Sequence, residues 1–142
     1  MRLIFWMLLA LSLPATAKNL DIYVIDVEGG KSVLFVSPSG ESMLFDAGWP
    51  ASNARTSSTD RIVEAAKAAG LKQIDYLVIS HFDVDHMGDV PELASKFPVR
   101  HILDHGVIPT PAPDARGGAA QRVAAYVAVR ERLGATVLKP GD

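Results

Sequence analysis

The run from Ile74 to Ser80, Ile-Asp-Tyr-Leu-Val-Ile-Ser, is almost continuously apolar and closes directly on a cluster of ionisable side chains. A short run of this kind predicts a strand covered on both faces. The flanking sequence agrees. Upstream, Leu20 to Val27, Ser32 to Ser37 and Ser42 to Phe45 are β-rich runs joined by the turns Glu28-Gly29-Gly30-Lys31 and Pro38-Ser39-Gly40-Glu41, which predicts an antiparallel meander. Thr59 or Asp60 can then cap a helix that carries Ile62, Val63, Ala66 and Ala69 on one face and stops at Gly70. Downstream, Asp89-Val90-Pro91-Glu92 opens a helix with Asp89 as N-cap and Glu92 at the capping-box position. A strand is predicted from Arg100 to Leu103, a helix from about Ala119 to Leu133, and the start of a further strand from Ala135 to Leu138. A meander followed by alternating strands and helices predicts an α/β fold, a mixed sheet with helices packed on it. The last strand begins and has nothing after it to pair with, so further sequence is expected beyond Asp142.

The apolar run delivers Ser80-His81-Phe82-Asp83-Val84-Asp85-His86-Met87-Gly88, four candidate metal ligands within six residues. In an extended loop side chains alternate with period two, so His81, Asp83 and Asp85 are expected on one side, with His86 swinging in at the turn into the helix. Imidazole and carboxylate donors suit zinc, manganese and iron. The same groups converging without a cation would repel one another or be desolvated, which disfavours reading them as an ordinary acidic surface loop. An EF-hand is excluded because its fifth and twelfth positions would be Met87 and Ala94. Gly30-Lys31-Ser32 is not a phosphate loop, since the first glycine of that pattern is replaced by Ile25. The chain has no cysteine, so there are neither disulfides nor thiolate ligands.

Together, Phe45-Asp46-Ala47-Gly48 at the end of one strand and Ser-His-x-x-x-Asp-His-x-Gly at the end of another resemble the metallo-β-lactamase superfamily. Its usual motif is H-x-H-x-D-H, and here the second histidine is Asp83. The H-x-D-x-D-H form, with Ile25-Asp26-Val27-Glu28-Gly29-Gly30-Lys31-Ser32, is similar to the extracellular hydrolase domain of ComEC-type DNA-uptake proteins. The resemblance covers residues 20–142. It implies a four-layer αβ/βα fold, of which this chain would supply about the first half, and two divalent metal ions, zinc first and manganese as the alternative. It also implies hydrolysis of an ester, amide or phosphodiester by a metal-bound hydroxide whose pKa is lowered from near 16 to roughly 7.

Under the resemblance, His81 and Asp83 serve the first metal and Asp85 and His86 the second, Asp85 could orient the water, and Asp46 supports the ligand loop from behind. Asp83 hardens the first site towards manganese. The family's distal ligands have no counterpart, because the only histidines are His81, His86, His101 and His105. His105 could face the site or be a hydrogen-bonded loop residue, His101 is expected on the solvent face, and Asp142 reads as a turn residue. An inert or merely metal-binding remnant is therefore the rival reading to a lactonase, β-lactamase, phosphodiesterase or nuclease.

Hydrophobic residues make up 49% of the 142 and charged residues 21%, the composition of a folded domain. The formal charge of −2 is scattered and forms no basic nucleic-acid patch; a small-molecule or phosphodiester substrate is what the resemblance implies. Residues 1–17 read as a secretory signal: Arg2, an apolar run from Leu3 to Leu13, and Ala15-Thr16-Ala17 as the cleavage site. The run is too short for a membrane span, which takes about 20 apolar residues. Residues 18–142 form the predicted domain, periplasmic or secreted, with no membrane anchor after cleavage. Mass spectrometry of the exported protein is expected to find Lys18 at its N-terminus; intact Met1 in the soluble fraction would contradict the signal.

Overall fold

A computed structural model of the chain describes residues 18–52, 57–108, 110 and 118–142; the predicted signal lies outside them. Six strands form one sheet in sequence order: β1 (Asp21–Val24), β2 (Val33–Val36), β3 (Ser42–Phe45), β4 (Ile74–Val78), β5 (Val99–Asp104) and β6 (Thr136–Val137). The first three pair antiparallel, as the meander predicts, and β3 to β6 pair parallel. The parallel connections carry α1 (Ser58–Ala68), the short turn α2 (Val84–Met87) with α3 (Val90–Lys96), and α4 (Ala119–Leu133). This is the mixed sheet with helices read from the sequence.

Cross-strand register shows where the core lies. Leu34, Leu44, Leu77 and Ile102 are successive partners in one row across β2 to β5, and all four are buried. Ile62 and Ala66 of α1, Leu93 of α3 and Tyr126 and Val129 of α4 join them in one cluster. The neighbouring row, Phe35, Met43, Tyr76 and His101, points to the other face. There Tyr76 is 37% exposed and Ile22 and Val24 of β1 are 56% and 82% exposed. The expectation that β4 is covered on both faces is therefore corrected: among the described residues the helices cover one face, and the apolar character of Tyr76 and Val78 serves the open one. His101 is exposed as expected and stacks on Tyr76 at 5.5 Å. No helix among the described residues is long and apolar enough to cross a membrane.

Two capping expectations shift. The cap of α1 is Ser57, whose Oγ accepts from the Thr59 amide, not Thr59 or Asp60. Asp89 does occupy the N-cap of α3, but its side chain makes no cap bond there. It turns back to accept from Ser57 Oγ at 2.7 Å and from the Thr59 amide, so it joins α3 to the start of α1 instead. Burial pushes the Asp89 carboxyl above the ordinary carboxylate value, against the opposing pull of these bonds.

A second polar tie lies at the end of β5. Asp104 is fully buried and accepts from Tyr126 Oη at 2.7 Å, from Arg130 Nε at 2.6 Å and Nη2 at 3.2 Å, and from the Gly106 amide at 2.8 Å. Burial alone would raise its carboxyl, but the bonds from Arg130, Tyr126 and Gly106 outweigh it and hold the group below its ordinary value. A carboxyl depressed in the folded state stabilises above its unfolded pKa and loses that contribution as pH falls through the folded value. Arg130→Met, which strands the buried charge, is expected to cost about 3 kcal/mol near neutral pH. The gap from wild type should narrow in acid as Asp104 protonates; urea unfolding at neutral and acid pH measures both.

Candidate metal centre

Strands β3, β4 and β5 end side by side, so Asp46, Ser80 and Asp104 all lie at the carboxyl end of the parallel part of the sheet, the edge at which open α/β sheets place their ligands. Asp46 is fully buried and continues the β3–β4 ladder, its amide donating to Val78 O at 2.9 Å. It then leaves the strand in the left-handed region, φ 63°, a conformation that aspartate tolerates better than most residues. Gly48 also has φ 70°, and a side chain there would strike Ser58 Oγ and Val27, so the start of α1 can pack directly on the Asp46-Ala47-Gly48 turn.

The Asp46 carboxylate accepts three bonds. The Ser80 amide donates to Oδ1 at 2.8 Å, the Ser80 hydroxyl to Oδ2 at 2.8 Å, and His86 Nδ1 lies 2.9 Å from Oδ2. Ser80 Oγ also lies 3.0 Å from His81 Nδ1. The two imidazole rings are 3.8 Å apart between centroids.

The expected period-two alternation of His81, Asp83 and Asp85 does not hold, because the chain stops being extended at Asp83. His86 and Met87 both donate amide bonds to Asp83 O, and Val84–Met87 is a helical turn. The four predicted ligands consequently stand in two pairs. His81 Nε2 faces Asp83 Oδ2 at 3.4 Å in the more exposed pair, and His86 Nε2 faces Asp85 Oδ2 at 3.5 Å in the deeper one, where the side chains are 16% and 30% exposed. Among the described residues no three His, Asp or Glu side chains already stand as a cage. The donor chemistry nonetheless fits a divalent metal: each imidazole is held at Nδ1 and turns Nε2 towards a carboxylate, the arrangement found where histidine ligands are oriented from behind.

Backbone contacts clamp the loop from the β1–β2 turn. The Lys31 amide donates to Asp85 O at 3.1 Å, and Gly30 packs so closely that an added Cβ would collide with Asp85 O and touch Trp49. On the opposite flank the Ala47 amide donates to His86 O at 2.7 Å. His105 follows Asp104 and packs its ring on Phe82 at 4.5 Å, with Phe82 in turn 5.5 Å from Tyr126, so His105 meets the motif through an apolar residue. Asp142 lies in the turn after β6, where its carboxylate accepts from the Lys139 amide. A groove of about 310 Å³ lined by Trp49, Pro50, Val84 and Arg122 opens beside α2, whereas the larger groove of about 550 Å³ is lined by Asp60, Val63, Glu64 and Lys96, none of them a candidate ligand.

Sequence reasoning passed over three groups that matter here. Ser80 stood only as part of the motif, Gly30 only as a turn residue, and the Asp104–Arg130 pair was not seen. Tyr126 and Arg130, one helical turn apart in a helix otherwise rich in alanine and valine, were the available signal for the last.

The family profile described as Metallo-beta-lactamase superfamily matches residues 25–142. The chain belongs to the metallo-β-lactamase superfamily. It is similar to a metallo-β-lactamase from Cronobacter sakazakii (Enterobacter sakazakii) carrying a multiply mutated HARLDQ motif, with 26% identity and a TM-score of 0.45 over 58% of this chain and 30% of that one. A second form of that enzyme, also a HARLDQ-motif mutant, gives 24% identity and a TM-score of 0.44 over 61% of this chain and 34% of that one. The chain thus spans about a third of the length of these solved relatives. No curated protein matches it. The superfamily is one of metal-dependent hydrolases, and its α/β fold with a mixed sheet is the one described above.

Gly30→Ala is expected to lower stability by about 1–3 kcal/mol, the range for overpacking, and to displace the Asp85 carbonyl. Denaturant unfolding checks the first effect; an unchanged midpoint would show that the turn does not clamp the loop.

Proposed function

We propose that the protein is an exported metal-dependent hydrolase in which His81, Asp83, Asp85 and His86 hold divalent metal, zinc first and manganese as the alternative. The single observation that carries this reading is the pair of imidazoles fastened at Nδ1 to the Asp46–Ser80 unit, with both Nε2 atoms turned towards carboxylates. A metal bound there would supply a Lewis acid and water activated near neutral pH. The chain's own residues do the rest: Asp46 orients His86, the Gly30-Lys31 turn holds Asp85 by its carbonyl, and Asp85 would orient the bound water. The substrate class is an ester, amide or phosphodiester. The acidic H-x-D-x-D-H form favours a phosphodiesterase or nuclease of the ComEC-like branch over a lactonase or β-lactamase. A groove lined in part by Pro50 and Val84 runs beside α2, where a substrate would lie.

A second reading, metal binding without turnover, draws support from the four candidate ligands standing in two separate pairs, with no three of them gathered as a cage among the described residues. Elemental analysis combined with ester, lactone, β-lactam and phosphodiester reporters separates the two. In the full-length protein, wild type is expected to retain zinc or manganese and to hydrolyse a reporter, and His86→Ala and Asp85→Ala to lose both. Metal content unchanged in both variants would remove these residues from the site; retention without hydrolysis would establish the second reading.

A further inference from the structure

Proton accounting around Asp46 leads from one buried carboxylate to both histidines. A carboxylate only accepts, so His86 Nδ1, 2.9 Å from Asp46 Oδ2, must carry the proton it shares with that oxygen. Ser80 Oγ has a single hydrogen and stands 2.8 Å from the same Oδ2. Were that hydrogen turned to His81 instead, two oxygens would face each other at that distance, without a proton between them, beside a fully buried charge. The hydroxyl therefore donates to Asp46 and has only lone pairs left for His81 Nδ1 at 3.0 Å, which in turn must be protonated. The weaker approach of Ser80 Oγ to His86 Nδ1, 3.4 Å, does not compete with the 2.9 Å bond to Asp46. On the far side of each ring the Nε2–carboxylate separations of 3.4 and 3.5 Å lie beyond hydrogen-bond length.

We propose that Ser80 is a positioning residue: its hydroxyl relays the Asp46 carboxylate to His81, so that one buried charge sets both imidazoles as Nδ1–H tautomers with their Nε2 lone pairs facing Asp83 and Asp85. Direct contact serves the deeper histidine and the serine relay the more exposed one. The consequence for metal binding rests on the reading of His81 as a ligand; the tautomer does not.

Long-range nitrogen–proton NMR of the metal-free chain at about pH 8, above the ordinary histidine pKa of about 6.5, reads the tautomers directly. Both His81 and His86 are expected as Nδ1–H in wild type. In Ser80→Ala, His86 keeps that form while His81 takes up both, and Ser80→Thr, which retains the hydroxyl, restores His81. His81 found as Nε2–H in wild type, or unchanged in Ser80→Ala, overturns the proposal. Should Ser80→Ala fail to fold, the wild-type tautomer still decides. Zinc affinity by chelator competition is expected to fall roughly 10–100-fold in Ser80→Ala, the usual effect of losing an outer partner of a ligating histidine, and to recover in Ser80→Thr. Equal affinity in wild type and Ser80→Ala would also count against the relay. Wild type that takes up no zinc would refute the ligand assignment instead, with the metal-free tautomers still judging Ser80.

Discussion

The site depends on the solvation of one carboxylate. Asp46 is fully buried, and a charge taken from water at that depth costs several kcal/mol unless donors replace the water. Its donors come from Ser80, two residues past β4, and from His86 of α2, which lies beyond it in sequence. Satisfying Asp46 therefore draws the ends of two neighbouring strands and the following helical turn to one point. The parallel pairing of Phe45 with Val78 brings β3 and β4 to the same level, and the bond from the Asp46 amide to Val78 O extends that pairing by one step. The left-handed backbone at Asp46 follows: the chain must turn out of the sheet while the side chain stays in, and the strain is held by three bonds to the carboxylate.

Around that point the loop is held mostly through backbone. Lys31 and Ala47 donate to the carbonyls of Asp85 and His86, and Asp89, just past the motif, is tied to Ser57 and Thr59. Backbone clamps leave side chains unencumbered, so Asp83 and Asp85 can present carboxylates outward while their peptide groups are fixed. Such an arrangement reduces the ordering that ligand capture must supply. It also explains why glycine is needed at Gly30, where the turn approaches the Asp85 carbonyl too closely for any side chain.

Much of this was legible from residue order. The meander, the change to helix-linked parallel strands and the extent of α4 all follow from hydrophobic period and punctuation, because those signals are local. The misreadings were non-local. Asp89 carries the signature of a helix cap, but its side chain goes to an element some thirty residues earlier, and α1 begins at a serine whose role depends on that same contact. The coverage of β4 could not be judged from its own sequence, since an apolar residue such as Tyr76 looks the same on a covered face and on an open one. The alternation expected of His81, Asp83 and Asp85 failed because Asp83 O accepts two helical amides, which ends the extended geometry midway through the motif.

The charge distribution differs between the two halves of the motif. Asp83 and Asp85 face the Nε2 atoms of two imidazoles, and Asp46 adds a third negative charge directly behind His86. Lys31, the nearest cation on the clamping turn, places its ammonium over the Phe45 ring at 4.3 Å. It is thereby engaged by an aromatic face rather than by the carboxylates. The more exposed pair sets one imidazole against one carboxylate. The deeper pair has the same donors, but its histidine is backed directly by a carboxylate. The two halves of the motif differ less in their ligands than in what stands behind them.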